Sequence, residues 1–478
     1  MFFGREDMIE RLMSLFKKRT SSLVTCRGRR RIGKSTLIEK FAERSGARFL
    51  KIEGIKPRPK LDNKKELENF AVKLAAQTGC DSSVPDNWLN AFLRLDDQIH
   101  DNGKTVVLLD EISWMAHYDP MFAGMLKSVW DDRFKKHPRL VLVLCGSVSS
   151  WIKDNIIDDG SFYGRRSLDL VVPELPIDEC VKFWGKSAQR IDAREIIDVL
   201  SVTGGVPRYL EEIDPGASAN ENIRRLCFTA KGPLREDFDE MFSDVVTRQP
   251  QFSASVLRCL KGGARSVSEI ARQLGMERGG RISDSLEQLE ECGLVANDSG
   301  VNPISGKHVR EERYRLNDNY SRFYLRYIEP AKEIIDRGSF AFGSLDGLDG
   351  WESTMGLQFE NLVLANLAGI AGRLGMGNAQ IYSAAPFRLA PSRDGTRKGV
   401  QVDLLIQTRR SICVVEIKRR REIGREVIDE VAEKVRRIPH RDGISVRTAL
   451  VYDGHLAPIV EADGYFDVIV PFRELLGL

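Results

Sequence analysis

Cysteine is sparse and scattered in this chain. The eight residues at positions 26, 80, 145, 180, 227, 259, 292 and 413 form no C-x-x-C pair and have no histidine partner at ligand spacing. That excludes a disulfide scaffold and a zinc ribbon, and it points to a reducing cytosol. Cys145, inside the apolar run Leu142-Val143-Leu144-Cys145, reads as a buried thiol. Long apolar runs are missing as well: no stretch reaches the ~20 residues a membrane span needs. The amino terminus, Met1-Phe2-Phe3-Gly4-Arg5-Glu6, turns polar too early for a secretory signal, so a cytoplasmic protein with no membrane partner is expected. An excess of either charge is also absent. With 72 basic against 69 acidic side chains the net charge is +3, so any nucleic-acid contact must come from local patches. One such patch is Lys418-Arg419-Arg420-Arg421, followed by Arg425, Lys434, Arg436 and Arg437. No internal repeat or low-complexity segment occurs.

What is present is an alternation of strand-length apolar runs and helical periods. At 478 residues the chain is too long for one core and predicts about three domains. Residues 8–17 have helical periodicity. Leu23–Cys26, Phe49–Ile52, Thr105–Leu109 and Leu140–Leu144 read as strands separated by helices, which gives an α/β domain over 1–172. Residues 173–250 read as mostly helical, a lid. Residues 251–342 read as three short helices, 256–260, 266–274 and 281–289, with a wing hairpin at Leu294–Ala296 and Arg313–Leu316: a winged helix. Its recognition helix begins with Arg278 and Arg281 but continues with Asp284, Glu287, Glu290 and Glu291. Those acids repel phosphate and favour intramolecular packing over groove reading. Gly343 to Gly350 is the candidate linker, and 350–478 forms a mixed α/β domain. There a helix over Met355–Ala368 is expected to stop at Gly369. Strands are expected at 381–382, 400–406, 412–417, 448–452 and 467–470, with a helix at 426–437.

Two motifs carry chemistry. Gly28-Arg29-Arg30-Arg31-Ile32-Gly33-Lys34-Ser35 satisfies G-x-x-x-x-G-K-[ST] between a strand and a helix that continues from Thr36. Gly28 and Gly33 let backbone N–H groups converge on phosphate, with Arg29, Arg30, Arg31 and Ile32 contributing backbone. Lys34 is expected on β- and γ-phosphate oxygens, and Ser35 on Mg²⁺. The run Val106–Leu109 ends in Asp110-Glu111, where Asp110 is expected to hold the metal and Glu111 to act as the base for the attacking water. Ser147, just past a strand, is positioned to sense the γ-phosphate; an ordinary turn serine is the alternative. Arg165 and Arg166 are candidates for transition-state charge, with surface arginine as the other reading. In the carboxy-terminal part, Asp403 lies in an apolar strand while Glu416 and Lys418 share one face of the next. If the two strands pair through Thr408-Arg409-Arg410, the carboxylates form a hard-cation site for Mg²⁺ or Mn²⁺, with Lys418 positioning water.

The pieces Phe3-Gly4-Arg5-Glu6, the glycine loop, Leu109-Asp110-Glu111, Cys145-Gly146-Ser147, Phe162-Tyr163-Gly164-Arg165 and Gly204-Gly205-Val206-Pro207-Arg208-Tyr209-Leu210 resemble the archaeal-type P-loop ATPases, related to the AAA+ and STAND NTPases. The resemblance implies ATP as cofactor. It brings Arg5 into the nucleotide-binding set and makes Pro207 or Arg208 a nucleotide sensor. Tyr314-Arg315-Leu316-Asn317-Asp318 and Phe359-Glu360 resemble the DUF234 segment that follows such ATPases. The set Asp403, Glu416 and Lys418 resembles the PD-(D/E)XK, restriction-endonuclease-like fold, with Glu360 similar to the extra metal-binding acid of those nucleases. The expectation is an ATPase whose nucleotide cycle controls a nuclease-like module acting on DNA through the carboxy-terminal basic patch, with a homo-oligomer left open. The alternatives are a STAND-type signalling switch, or a DNA-binding regulator with a non-cleaving carboxy-terminal domain.

Overall fold

The computed structural model describes residues 2–147, 149–246, 249–309, 312–340, 344–392 and 398–478. They form two compact units: Met1–Pro173 with Ser243–Thr247, and Glu174–Phe242 with Arg248–Leu478.

The first unit is built on five parallel strands: β1 Ser22–Arg27, β2 Arg48–Glu53, β3 Thr105–Asp110, β4 Leu140–Gly146 and β5 Arg166–Val171. Their order in the sheet is β2-β3-β4-β1-β5. β3 and β4 are buried along their whole length, as unbroken aliphatic runs in a sheet covered on both faces should be. An aromatic cluster of Phe70, Trp88, Phe92 and Phe122 packs on one face and anchors its helices. Because all the strands run the same way, the ends of β1, β3 and β4 open on one edge, where α/β sheets bind ligands. The expected first helix covers Glu6–Leu15. β5 has no counterpart in the sequence reading. Its Asp169 interrupts the apolar pattern but accepts from Thr25 Oγ1 at 2.7 Å and pairs with Arg27 at 3.0 Å, both on β1.

In the second unit, residues 174–242 are mostly helical, and they group with the carboxy-terminal residues. The Ile177 N–H donates to Asn366 Oδ1 at 2.9 Å. Arg419 bridges Asp198, on helix Ala193–Thr203, and Asp453. Helices Pro250–Leu260, Val267–Gln273 and Gly280–Glu291 adjoin a small sheet of β6 Arg265–Ser266, β7 Val295–Asn297 and β8 Arg313–Leu316, in the order β6-β8-β7. Ser266 caps the middle helix through a reciprocal capping box with Glu269. The last module is a five-stranded sheet of β9 Ile381–Leu389, β10 Val400–Thr408, β11 Ser411–Ile423, β12 Ser445–Leu456 and β13 Val468–Pro471, in the order β13-β12-β11-β10-β9. β9, β10 and β11 pair antiparallel, while β11, β12 and β13 pair parallel. Helix Glu426–Arg437 buries Val427, Ile428 and Val431 against this sheet. Gly369 does not stop a helix: Leu367–Arg373 runs through it, and a Cβ there would meet Leu475 Cδ2 at 2.9 Å, so glycine serves close packing. Of the expected linker, Gly343 lies outside the described residues, and Trp351–Ala365 is helical directly after Gly350.

The wing is folded down on the carboxy-terminal sheet. Gln407 Nε2 donates to the Val301 carbonyl at 2.6 Å, and Arg441 Nε to that of Ile304 at 2.6 Å. Gly300 lies so close that a Cβ would stand 2.7 Å from the Pro386 carbonyl oxygen. The described part of this hairpin thus packs against the carboxy-terminal sheet.

Candidate functional site

β1 ends at Arg27 and helix Lys34–Ser45 begins at Lys34, so the glycine loop is the whole connection. Positive φ at Gly28 (148°), Arg31 (68°) and Gly33 (85°) curls it back on itself. Only glycine fits at position 28, because a Cβ would lie 2.6 Å from the Val172 carbonyl oxygen. Lys34 Nζ lies over the loop and donates to the carbonyls of Gly28 (2.9 Å) and Arg29 (3.0 Å). Thr36 is in the first turn of the helix, and Ile32 is buried under the loop. Arg5, buried and in the left-handed region, donates to the carbonyls of Ile32 (2.8 Å) and Pro173 (2.9 Å); its guanidinium braces the loop. Arg29 is buried, and Arg30 is half-buried.

Ser35 Oγ donates to Asp110 Oδ2 at 2.6 Å, which joins the two motifs across 75 residues. Two hard oxygen groups meeting at the loop suit Mg²⁺. Lys51 on β2 stands 3.5 Å from the same Asp110 oxygen and 3.0 Å from Glu39; no sequence signal marked it. Glu111 follows in the left-handed region (φ 50°, ψ 49°). Its carboxylate accepts from the hydroxyl of Ser147 at 2.9 Å and from its N–H at 3.3 Å. Arg165 forks onto Asp131 with two contacts of 2.8 Å, and the bond holds that carboxyl down at about 2. Arg166 donates to the Ile157 carbonyl. Pro207 opens the short helix Pro207–Leu210 in the second unit, and Arg208 pairs with Glu211 and Glu212.

In the second unit, the pairing of Leu404 with Val415 sets Asp403 across from Glu416, and Asp403 Oδ2 accepts from the Ile417 N–H at 3.0 Å. Lys418 Nζ lies 2.9 Å from Glu416 Oε1 and 2.6 Å from Glu430. Lys434 Nζ lies 2.5 Å from Glu416 Oε2 and 3.8 Å from Asp403 Oδ1. Burial, reinforced by Glu416, pushes Asp403 up to about 6. Glu360, on helix Trp351–Ala365, shares a cavity of about 300 Å³ with Asp403; burial and then the Asp403 charge raise it to about 7. The expected residues are thus brought together, with two additions: Lys434, expected in the basic patch that meets nucleic acid, and Glu430, to which the sequence gives no site role. The signal that could have found them is helical spacing: Val427, Glu430, Val431 and Lys434 share the face turned to the sheet. Among the described residues no three His, Cys, Asp or Glu side chains converge as a metal cage; lysines occupy the carboxylates instead. The basic patch divides: Arg420, Arg421, Arg425 and Arg436 stay exposed, and the others turn inward or pair. Lys418 and Lys434 point inward, Arg419 is buried, Arg425 pairs with Asp463, and Arg436 and Arg437 pair with Glu433.

Comparison with known proteins covers the amino-terminal part and the helix–turn–helix region. Residues 2–213 match the model of an ATPase domain predominantly from Archaea, and residues 254–297 that of the arsR family of bacterial regulatory proteins. The uncharacterized protein MJECL04 of Methanocaldococcus jannaschii is 22% identical over 347 residues, covering 71% of this chain and 72% of that protein. The Walker-type ATPase PABY2304 of Pyrococcus abyssi superposes with a TM-score of 0.50 at 20% identity, covering 68% of this chain and 96% of that one. The ORC2 protein of Aeropyrum pernix follows at 0.40 and 17%, covering 70% and 94%. The amino-terminal part of this chain is thus a P-loop ATPase domain, and an arsR-type helix–turn–helix lies downstream of it.

Proposed function

We propose that the protein hydrolyses Mg·ATP at the glycine loop and that this cycle controls a metal-dependent, nuclease-like module acting on DNA. For the first half, loop N–H groups and Lys34 hold the phosphates, and Ser35 with Asp110 would hold Mg²⁺, whose charge neutralises the developing negative charge. Glu111 orients and deprotonates the attacking water, and Ser147 holds Glu111 in the meantime.

For the second half, the carrying observation is the set Asp403, Glu416 and Lys418 on adjacent strands, where burial raises the carboxyl of Asp403 to about 6 and that of Glu360, in the same cavity, to about 7. Asp403 and Glu416 offer the hard oxygens a divalent cation takes, and the cation would supply charge stabilisation at the phosphodiester. Lys418 is in reach to hold a water. A non-cleaving docking module, as in a signalling switch, is the second reading, favoured by the lysines that already neutralise Glu416. Plasmid nicking in Mg²⁺ or Mn²⁺ separates the two. Wild type is expected to nick, and Asp403→Ala and Lys418→Ala to lose nicking by at least about a hundredfold. Absence of metal-dependent nicking in every ATP state would leave the docking reading.

A further inference from the structure

The cavity beside Asp403 has walls from two different modules. Arg313 and Arg315 of the winged-helix hairpin and Arg388 of β9 line it together with the buried Arg322, Glu360 and Asp403. β8 alternates, so Arg313 and Arg315 share one face of the strand. Both are fixed in place. Arg313 donates to the Ala264 carbonyl at 2.8 Å and lies 2.7 Å from Glu269. Arg315 donates to Asp298 at 2.8 Å and to Asn361 at 2.6 Å. A guanidinium has five N–H donors, and those contacts orient it while leaving further donors. Arg388 is exposed and makes no ion pair among the described residues. Gly262 also lines the cavity; a Cβ there would meet nothing within 4 Å, so packing does not require glycine and that side stays open.

Arginines and carboxylates lining one cavity supply the groups that receive a phosphate and its cation together. The volume, about 300 Å³, is at the low end of small-ligand sites and suits a single nucleotide unit. A duplex, whose major groove alone is about 12 Å wide, does not enter a space of that size. The wing is docked on the sheet, and Arg313 and Arg315 of its hairpin line this cavity.

We propose that the cavity binds the phosphodiester of a single DNA strand, with Arg313, Arg315 and Arg388 holding the phosphate and Glu360 and Asp403 facing the cation. This rests on the reading of the carboxylates as a cation site. The winged helix then serves as half of a strand-binding site.

Fluorescence anisotropy on the full chain tests it, using a fluorescein-labelled oligothymidylate and a labelled duplex of equal length in Ca²⁺. Wild type is expected to bind the strand at least about tenfold more tightly than the duplex. Arg388→Glu, which reverses a wall charge, and Gly262→Phe, which fills the open side, are each expected to weaken strand binding about tenfold. ATP turnover serves as the control for folding. Equal affinity for duplex and strand, or strand binding indifferent to both substitutions, overturns the assignment. Mn²⁺ uptake by electron paramagnetic resonance, in wild type and Asp403→Asn, keeps the two readings apart. If wild type takes up Mn²⁺ and Asp403→Asn does not, while both cavity variants bind the strand normally, only the strand assignment falls. If wild type takes up none, the cation reading falls and takes the role of Glu360 and Asp403 with it.

Discussion

Glu111 shows how much a single residue can carry. A non-glycine residue in the left-handed region is strained, and such strain concentrates where chemistry needs an exact direction. Here it turns the carboxylate toward Ser147 at the end of β4. Glu111→Gln is expected to bind ATP normally and to lower turnover about a hundredfold or more, read by nucleotide binding and phosphate release. Unchanged turnover would show that the base lies elsewhere. Ser147→Ala decides between two roles: a fall in turnover with affinity kept marks a residue that orients Glu111, and a fall in affinity marks a phosphate sensor. The motif residues were legible because glycine loop and Asp-Glu pair are contiguous in sequence; the link between Glu111 and Ser147 spans 36 residues and exists only in the folded sheet. Glu66 is a residue of another kind, a buried carboxylate that accepts from the Ile55 N–H at 3.1 Å. Burial raises it from 4.5 to about 7. Between those values the folded state holds a proton that the unfolded state releases, so stability falls as pH rises through the window and levels off above it. Glu66→Gln keeps an acceptor and is expected to flatten that part of the profile, as thermal unfolding between pH 4 and 8 would show; an unchanged slope would assign it to other groups.

Among the elements, helix Glu426–Arg437 was foreseen to the residue and its purpose was not. Its boundaries follow from local propensity and from charges placed to suit the dipole, with Glu426 and Asp429 in the first turn and Lys434, Arg436 and Arg437 in the last. Which partner its inner face meets is a tertiary fact. Lys434 therefore looked like part of a solvated patch, although its ammonium lies against Glu416 and Asp403. Removing Lys434 takes the ammonium away from Asp403 and leaves Glu416 with Lys418 alone, so only part of the about 3 kcal/mol that a fully broken buried pair costs is lost. Lys434→Met is accordingly expected to lower the melting temperature by several degrees in EDTA. Mn²⁺ should restore more of that loss than it adds to wild type, because the vacated carboxylates can then take a cation. A loss that Mn²⁺ does not restore would make the lysine purely structural. β5 escaped for the converse reason: its Asp169 breaks the apolar pattern, and only the Thr25 and Arg27 partners on β1 explain how the carboxylate is tolerated.

At the level of the whole molecule, the chain leaves the first unit after Pro173, and residues 243–246 belong to the first unit again. The helical segment 174–242 groups by its contacts with the carboxy-terminal residues, while the match to the ATPase domain runs into it as far as residue 213. Order along the chain gives adjacency, whereas grouping is decided by buried contacts such as Arg419 with Asp198, which join residues over two hundred positions apart. Coupling between the units is an equilibrium between states that ATP and DNA bias by the same factor. Two variants isolate the end states without touching the second unit: Lys34→Ala removes the phosphate ligand, and Glu111→Gln holds ATP unhydrolysed. Nicking by the two in saturating ATP is expected to differ by at least about fivefold, the lower end of measured couplings, with the sign showing whether ATP licenses or restrains the second site. The reciprocal holds for binding: single-stranded DNA should shift the ATP affinity of Glu111→Gln by a matching factor and in the same sense as ATP shifts DNA binding. Equal nicking in both variants, with ATP affinity indifferent to DNA, would mean that the two units share a chain and no free energy.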